Sequence, residues 1–123
     1  MTVIEAINRI DALKLNTFGP SEKVKWLSEL DAIVKSEIID AHEGADKVEF
    51  SEYTEEDLTR ELLIPSPYDR VYIHWLESKI DYWSNELKRY NNSAATFNAA
   101  YESYARHYVE NHKPIGRGTR FVF

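Results

Sequence analysis

The sequence predicts a mainly α-helical fold: a four-helix bundle that could include a short two-stranded β ribbon and that ends in an extended C-terminal tail. Three observations predict it. Apolar residues recur at steps of three and four, turn-forming residues separate the periodic segments, and ten of the sixteen aromatic residues lie between Tyr68 and Tyr108. We therefore expect a helical domain over residues 1–111 and a tail over residues 112–123.

The first helix is predicted over residues 3–14, because Thr2 and Glu5 have the spacing of a capping box. Turn chemistry in residues 16–20 ends it. Ser21 is then the predicted N-cap of a second helix, and Gly44 its C-terminal cap. The apolar stripe of this second helix consists of Val24, Leu27, Leu30, Val34 and Ile38.

The section from 45 to 66 is the least regular and the most acidic. Residues 48–50 and 62–64 are β-prone and could pair as a ribbon, although an isolated hairpin is only marginally stable in water. Residues 1–61 carry 15 acids and 7 bases, whereas residues 62–123 carry 6 acids and 8 bases. Such an acidic segment repels a phosphate backbone, which disfavours DNA groove recognition.

The third helix is predicted from Pro67 to about Tyr90, with Ser66 as its N-cap. Asparagine is a poor helix former, so residues 91–93 are predicted to interrupt it before a fourth helix over about 93–110. If those residues only kink the chain, the two helices merge into one. His74, Glu77 and Asp81 share the polar face of the third helix and are expected to be solvated.

The tail contains Pro114, Gly116 and Gly118, which preclude a helix. Its cations and its apolar end are expected to bind a partner, because a terminal aromatic and aliphatic trio is unfavourable in water. These candidate binding residues are Arg117, Arg120, Phe121, Val122 and Phe123. We expect residues 112–123 to order only on binding.

The composition argues against an enzyme. The chain has no cysteine, which excludes disulfides, thiolate nucleophiles and zinc sites that need sulfur. The sequence contains neither a nucleophile-elbow serine nor a phosphate-binding glycine loop. We therefore predict no catalytic residues, no cofactor and no metal. Charged residues interrupt segment 1–15, so no signal peptide or membrane span is expected and the protein should be made in the cytoplasm.

Several segments resemble small structural proteins of tailed bacteriophages and prophages, in particular the head-to-tail connector, or adaptor, proteins. The similarity extends to about His107 and rests on caps and core positions. Its segments are 26–31 (WLSELD), 37–40 (EIID), 42–44 (HEG), 65–69 (PSPYD), 72–82 (YIHWLESKIDY), 90–93 (YNNS) and 97–101 (FNAAY). The basic, Phe-ended tail departs from the family pattern.

The resemblance implies an adaptor-like helical subunit of the virion neck, in a closed ring of twelve copies as connectors commonly are. Its partners would be other copies of itself, the portal protein above and a neck or tail component below, with DNA only as passing cargo and no membrane. An acidic loop of Glu55, Glu56 and Asp57 facing the channel would repel that DNA. The tail would bind the portal or the next subunit.

Two other functions remain open at this point. Related phage genes encode head completion, neck or tail completion proteins, so the exact virion role is not fixed by these residues. The main alternative of another class is a small cytoplasmic helical module that binds or regulates a partner as a monomer or dimer.

Overall fold

The computed structural model describes residues 1–115, and it is mainly helical, as predicted. A five-residue π-helical segment, Lys35–Ile39, continues the second helix, and a single 3₁₀ turn spans Ala45–Lys47. The four α-helices are α1 (Val3–Leu13), α2 (Pro20–Val34), α3 (Arg70–Trp83) and α4 (Leu87–Asn111).

The start of α1 is fixed by the predicted capping box. The Thr2 hydroxyl oxygen accepts a hydrogen bond of 3.2 Å from the backbone N–H of Glu5, and the Glu5 carboxylate accepts one of 2.8 Å from the Thr2 N–H. Two backbone donors that the helix leaves free are thereby satisfied. The prediction for this terminus is confirmed.

The predicted caps of α2 are wrong. Gly19 is the N-cap and Pro20 the first helical residue, because proline presets the helical φ and has no N–H to leave unpaired. At the other end the helical segment stops at Ile39. Gly44 has a φ of 92° and precedes the 3₁₀ turn, so its left-handed conformation serves the following loop rather than α2.

The third and fourth predicted helices are separate, but both boundaries differ from the prediction. The third helix begins at Arg70 instead of Pro67, and the break lies at Asn85, which has a φ of 61°. Residues 91–93, the predicted break, lie inside α4. The buried Ser93 hydroxyl donates a hydrogen bond of 2.9 Å to Asp81, so tertiary contact with α3 overrides the low helix propensity of the asparagines.

The expected ribbon between residues 48–50 and 62–64 is not formed within residues 1–115. The N-terminus takes the place of the partner strand: the Leu62 N–H donates to the Met1 carbonyl, and the Val3 N–H donates to the Arg60 carbonyl, both at 3.0 Å. Only an isolated antiparallel bridge between Thr2 and Glu61 results.

The core lies between the helices and is sealed by segment 53–64. The helices α3 and α4 form an antiparallel pair, and α1 and α2 pack against α3. Residues of α1, α2 and α3 supply most of the buried apolar side chains, whereas α4 contributes Ala100 and Tyr104. The largest apolar residues with under 2% of their surface exposed are Tyr72, Tyr104, Ile10, Leu27, Leu30, Ile64 and Leu76.

The beginning of the tail pairs with the loop that follows the π-helical segment. The Glu43 N–H donates to the Lys113 carbonyl at 2.8 Å, and the Ile115 N–H donates to the Ala41 carbonyl at 3.0 Å. These hydrogen bonds place residues 113–115 beside that loop. The predicted tail residues Arg117, Arg120, Phe121, Val122 and Phe123 lie outside the described residues.

Candidate protein interaction surfaces

A buried carboxylate joins three parts of the chain. Asp31 of α2 is fully buried, and its Oδ1 atom accepts a hydrogen bond of 2.6 Å from the Tyr72 hydroxyl. Its Oδ2 atom accepts one of 3.0 Å from the Leu63 N–H and another from the Tyr53 hydroxyl. The Tyr72 oxygen in turn accepts from the Ile64 N–H at 2.7 Å.

The electrostatics of this cluster indicate a structural role. Burial raises the pKa of Asp31, although the hydroxyls of Tyr53 and Tyr72 and the Leu63 N–H oppose the rise by favouring the carboxylate. Burial and the nearby Asp31 charge also raise the pKa of Tyr53 and Tyr72. Because each Asp31 oxygen is already hydrogen-bonded inside the protein, the group holds segment 53–64 against α2 and α3.

A second buried carboxylate corrects the prediction of a solvated polar face on α3. Asp81 has only 1% of its surface exposed. Its Oδ1 atom lies 2.7 Å from the Lys14 Nζ atom, and Ser93 donates to Oδ2. Glu77 lies 3.9 Å from the same ammonium group, and His74 is half-buried, which lowers its pKa. Lys14 and Ser93 lie far from Asp81 in sequence, so helical spacing alone could not reveal this contact.

Metal binding has no geometric support in the described part of the chain. Within residues 1–115, no three histidine or acidic side chains converge as a cation would require. Nor do these residues include a helix long and apolar enough to cross a lipid bilayer.

The predicted acidic loop divides into two parts. Glu55 and Glu56 are exposed, whereas Asp57 is half-buried and works within the turn. Its Oδ2 atom accepts hydrogen bonds from the Thr54 N–H at 2.7 Å and the Thr54 hydroxyl at 3.1 Å. The backbone hydrogen bond from Thr54 is the largest cause that lowers the pKa of Asp57. The two glutamates remain available to a partner or to solvent.

A groove of about 750 Å³ lies between α2 and residues 52–55. We call it the acidic groove. Apolar side chains of Val24, Ile33 and Tyr53 line it, and Ile33 is 38% exposed. Its charged lining residues are Lys25, Glu29, Glu52 and Glu55, so acids exceed bases by two. Apolar walls with a negative rim suit a short segment that carries both cations and apolar side chains.

Several exposed apolar side chains lie at one end of the molecule. The ion pair between Lys14 and Asp81 brings the end of α1 to the end of α3. At this end Leu15 is 100% exposed, and Trp83 and Leu87 are more than half exposed. The ring centroids of Tyr82 and Trp83 lie 5.1 Å apart. We call this surface the apolar end; it consists of Leu13, Leu15, Tyr82, Trp83 and Leu87.

By their periodicity, the apolar stripes of the third and fourth helices need burial either inside the subunit or against another subunit, and the structure shows which residues the core covers. Tyr72, Leu76 and Ile80 are buried in the core, but Trp83 and Leu87 flank the turn at Asn85 and face outward. The sequence predicted the helix break at residues 91–93, and a break there would have left Trp83 and Leu87 in the middle of a helix. Large exposed apolar side chains grouped together are typical of protein interaction sites.

Comparison with known proteins found no relative of this chain. No family model, curated protein or solved structure matched this chain.

Proposed function

We propose that this protein is a structural subunit that binds other proteins through its apolar end. Within that class, we propose a head-to-tail connector of a tailed phage, located in the virion neck and made in the host cytoplasm. It would form a ring below the portal through which DNA passes. The observation that carries the proposal is the apolar end, and the phage role rests on the sequence resemblance described above.

Exposure at the apolar end has an energetic cost that binding would remove. Complete burial of one leucine or larger apolar side chain contributes roughly 1.5–3 kcal/mol. Leu15 has its whole surface in water, and Trp83 and Leu87 have 58% and 66% exposed. A protein partner that covers all three would recover part of this free energy at one site, as in the apolar centre of an interface.

The two ends of α4 offer separate contacts. Leu87 begins this helix at the apolar end, and Asn111 ends it beside the start of the tail. At 1.5 Å per residue, its 25 residues span about 37 Å. A subunit with a contact surface at each end suits a neck component, which must join one neighbour above and another below. Head-to-tail contacts between two such surfaces can close into rings.

The exposed acids fit the same proposal. Glu55 and Glu56 project from a surface turn next to α2. If this turn lines the channel of the ring, like-charge repulsion would keep passing DNA from adhering. The buried groups do not favour catalysis, because Asp31, Tyr53 and Tyr72 already bond to one another and have little exposure.

Native mass spectrometry and negative-stain microscopy test this function. The purified protein would be measured alone and with the portal ring encoded in the same genome, because the portal can template assembly. We expect a stoichiometric ring on the portal. A free dimer that does not bind the portal would contradict the connector function and would instead favour a cytoplasmic partner-binding module. Binding to a tail tube in place of the portal would favour a tail completion protein.

A further inference from the structure

We propose that the acidic groove is the docking site for residues 117–123 of the same chain. We call these residues the C-terminal segment. The inference goes beyond the connector role, since it concerns a contact within one subunit and requires neither a portal nor a ring.

The chemistry of the groove matches that of the segment. Glu29, Glu52 and Glu55 line the groove against one cation, Lys25. The C-terminal segment has the sequence RGTRFVF, which contains two arginines and no acid side chain. Arginine and carboxylate form short, charge-assisted hydrogen bonds, so the rim would favour this segment over an acidic one.

The apolar parts also correspond. Val24, Ile33 and Tyr53 line the groove, and of these Ile33 is 38% exposed while the other two are buried. The segment ends in Phe121, Val122 and Phe123. At about 750 Å³ the groove lies within the 300–1,000 Å³ range typical of ligand pockets, so it can take large side chains. Docking would remove the exposed part of Ile33 from water together with the phenylalanine rings.

The last described residue, Ile115, lies close enough to the groove for the C-terminal segment to reach it. The bridge between His42 and Pro114 is antiparallel, so residues 113–115 run from Glu43 toward Ala41 and thus toward α2. The helical segment that contains Ala32 ends at Ile39, about 10 Å further along its axis, and Ala41 follows two residues later. Five residues lie between Ile115 and Phe121, so the chain from one to the other can reach at most about 20 Å. The segment is therefore long enough to dock within its own subunit.

The route between these points is open and partly acidic. Ser36 and Asp40 are exposed and continue the surface of Ala32 along the helical segment. Glu37 is exposed as well and accepts a hydrogen bond of 3.0 Å from Tyr101. Asp40 is paired with Lys35 and Glu37 with Tyr101, so a basic chain passing over this surface meets carboxylates that already have one partner each. Its covalent attachment supplies a high effective concentration, which favours the same subunit over a second copy.

Disulfide trapping tests the contact cleanly, because the chain has no cysteine of its own. In the full-length protein, Ala32→Cys would be combined with Val122→Cys. The control combines Val122→Cys with Glu102→Cys, an exposed position on α4 outside the groove. Under mild oxidation at low protein concentration, we expect the first pair to close within one chain at least about tenfold faster than the control pair. The products would be read as thiol loss at monomer mass.

Charge variants in the trapped background test the acidic rim. Glu29→Gln/Glu52→Gln/Glu55→Gln should slow closure about fivefold or more, which corresponds to two weak exposed ion pairs, one for each arginine of the segment. The matched control, Glu86→Gln/Glu102→Gln/Glu110→Gln, removes three exposed acids elsewhere and should leave the rate unchanged. Circular dichroism would establish that both variants are folded.

Three outcomes would overturn the proposal. Equal closure rates for the Ala32 and Glu102 pairs would show that the groove is not the docking site. Dimers linked through Ala32→Cys and Val122→Cys would assign the groove to a neighbouring copy instead. Equal rates of disulfide closure in the two charge variants would show that the acidic rim does not attract the C-terminal segment. None of these results depends on portal binding, so the connector role stands or falls separately.

Discussion

The Tyr72 hydroxyl donates a hydrogen bond of 2.6 Å to Asp31, joining α3 to α2 across 41 residues of sequence. Tyr72 and Asp31 are both completely buried. The same hydroxyl accepts from the Ile64 N–H, so one oxygen atom connects two helices and the segment that covers them. This cluster explains how a loop with little regular structure stays in a fixed position.

Replacement of Tyr72 by phenylalanine should lower the free energy of unfolding by about 2 kcal/mol, because it leaves the buried Ile64 N–H and one Asp31 oxygen without a partner. Urea unfolding followed by circular dichroism measures the change. Tyr82→Phe is the matched control, since Tyr82 is 49% exposed, and it should change stability by less than about 0.5 kcal/mol. Equal effects of the two substitutions would contradict the structural role of the cluster.

Asp31 should also titrate above the ordinary aspartate pKa of about 3.9, because burial raises its pKa. Between the unfolded and the raised folded pKa, the folded state binds more protons than the unfolded state. The contribution of Asp31 to stability therefore falls as pH rises through that window. Carbon-13 NMR of the side-chain carboxyl would measure the titration directly. A midpoint at or below the ordinary value would refute the assignment.

The contribution of Asp57 to stability should change with pH in the opposite direction to that of Asp31. Its pKa is lowered by hydrogen bonds from Thr54, so its contribution is present above the unfolded pKa and is lost as pH falls through the folded value. Asp57→Asn should consequently have a smaller effect on stability at acidic pH than at neutral pH. The free energy of unfolding of both proteins would be measured from acidic to neutral pH. An effect of Asp57→Asn that is the same at every pH would contradict this prediction.

The position of the helix break gives a fourth prediction. Asn85 has a left-handed φ of 61°, so Asn85→Ala should cost about 1 kcal/mol and Asn85→Gly should be tolerated. Asn91 is exposed inside α4, so Asn91→Ala should instead increase stability by a few tenths of a kcal/mol. Thermal unfolding separates these cases. Stabilisation by Asn85→Ala together with destabilisation by Asn91→Ala would place the break where the sequence suggested.

Local signals were sufficient for some elements of this fold. Thr2 and Glu5 fixed the start of α1, since a capping box involves only four neighbouring residues. The break between α3 and α4 was not predictable in this way, because the Ser93 to Asp81 hydrogen bond is a tertiary contact. The ribbon failed for the same reason: the N-terminus pairs with residues 60–62 from a distance that sequence patterns do not encode.

The candidate surfaces were predictable to different degrees. An excess of acids in residues 46–61 indicated the acidic rim, but not that Asp57 would be engaged by Thr54. Asp31 stands next to Leu30 and four residues after Leu27 in the apolar stripe of α2, which was an available signal of a buried carboxylate. Helical periodicity put Trp83 and Leu87 on an apolar stripe that needed either a core or another subunit, and only the position of the turn at Asn85 shows that the core leaves them exposed.

Neutralising the two free loop acids tests the role of the loop in DNA passage. Because Glu55 and Glu56 are exposed, Glu55→Gln/Glu56→Gln should leave folding and assembly intact. If the loop faces the channel, DNA retention or ejection should change in particles that carry the variant. Glu102→Gln/Glu110→Gln removes two exposed acids of α4 as a control. Identical DNA behaviour in variant and control particles would exclude this role.

The most direct test of the central claim is native mass spectrometry of the portal mixed with Leu15→Asp/Trp83→Glu. Both side chains are exposed, so the variant should keep the circular dichroism spectrum of the wild type while losing the assembled complex. Leu15→Met/Trp83→Phe preserves apolar character at the same positions and should assemble normally. Assembly of the charged variant at the wild-type level would contradict the account, because the apolar end would then not be the surface that binds protein.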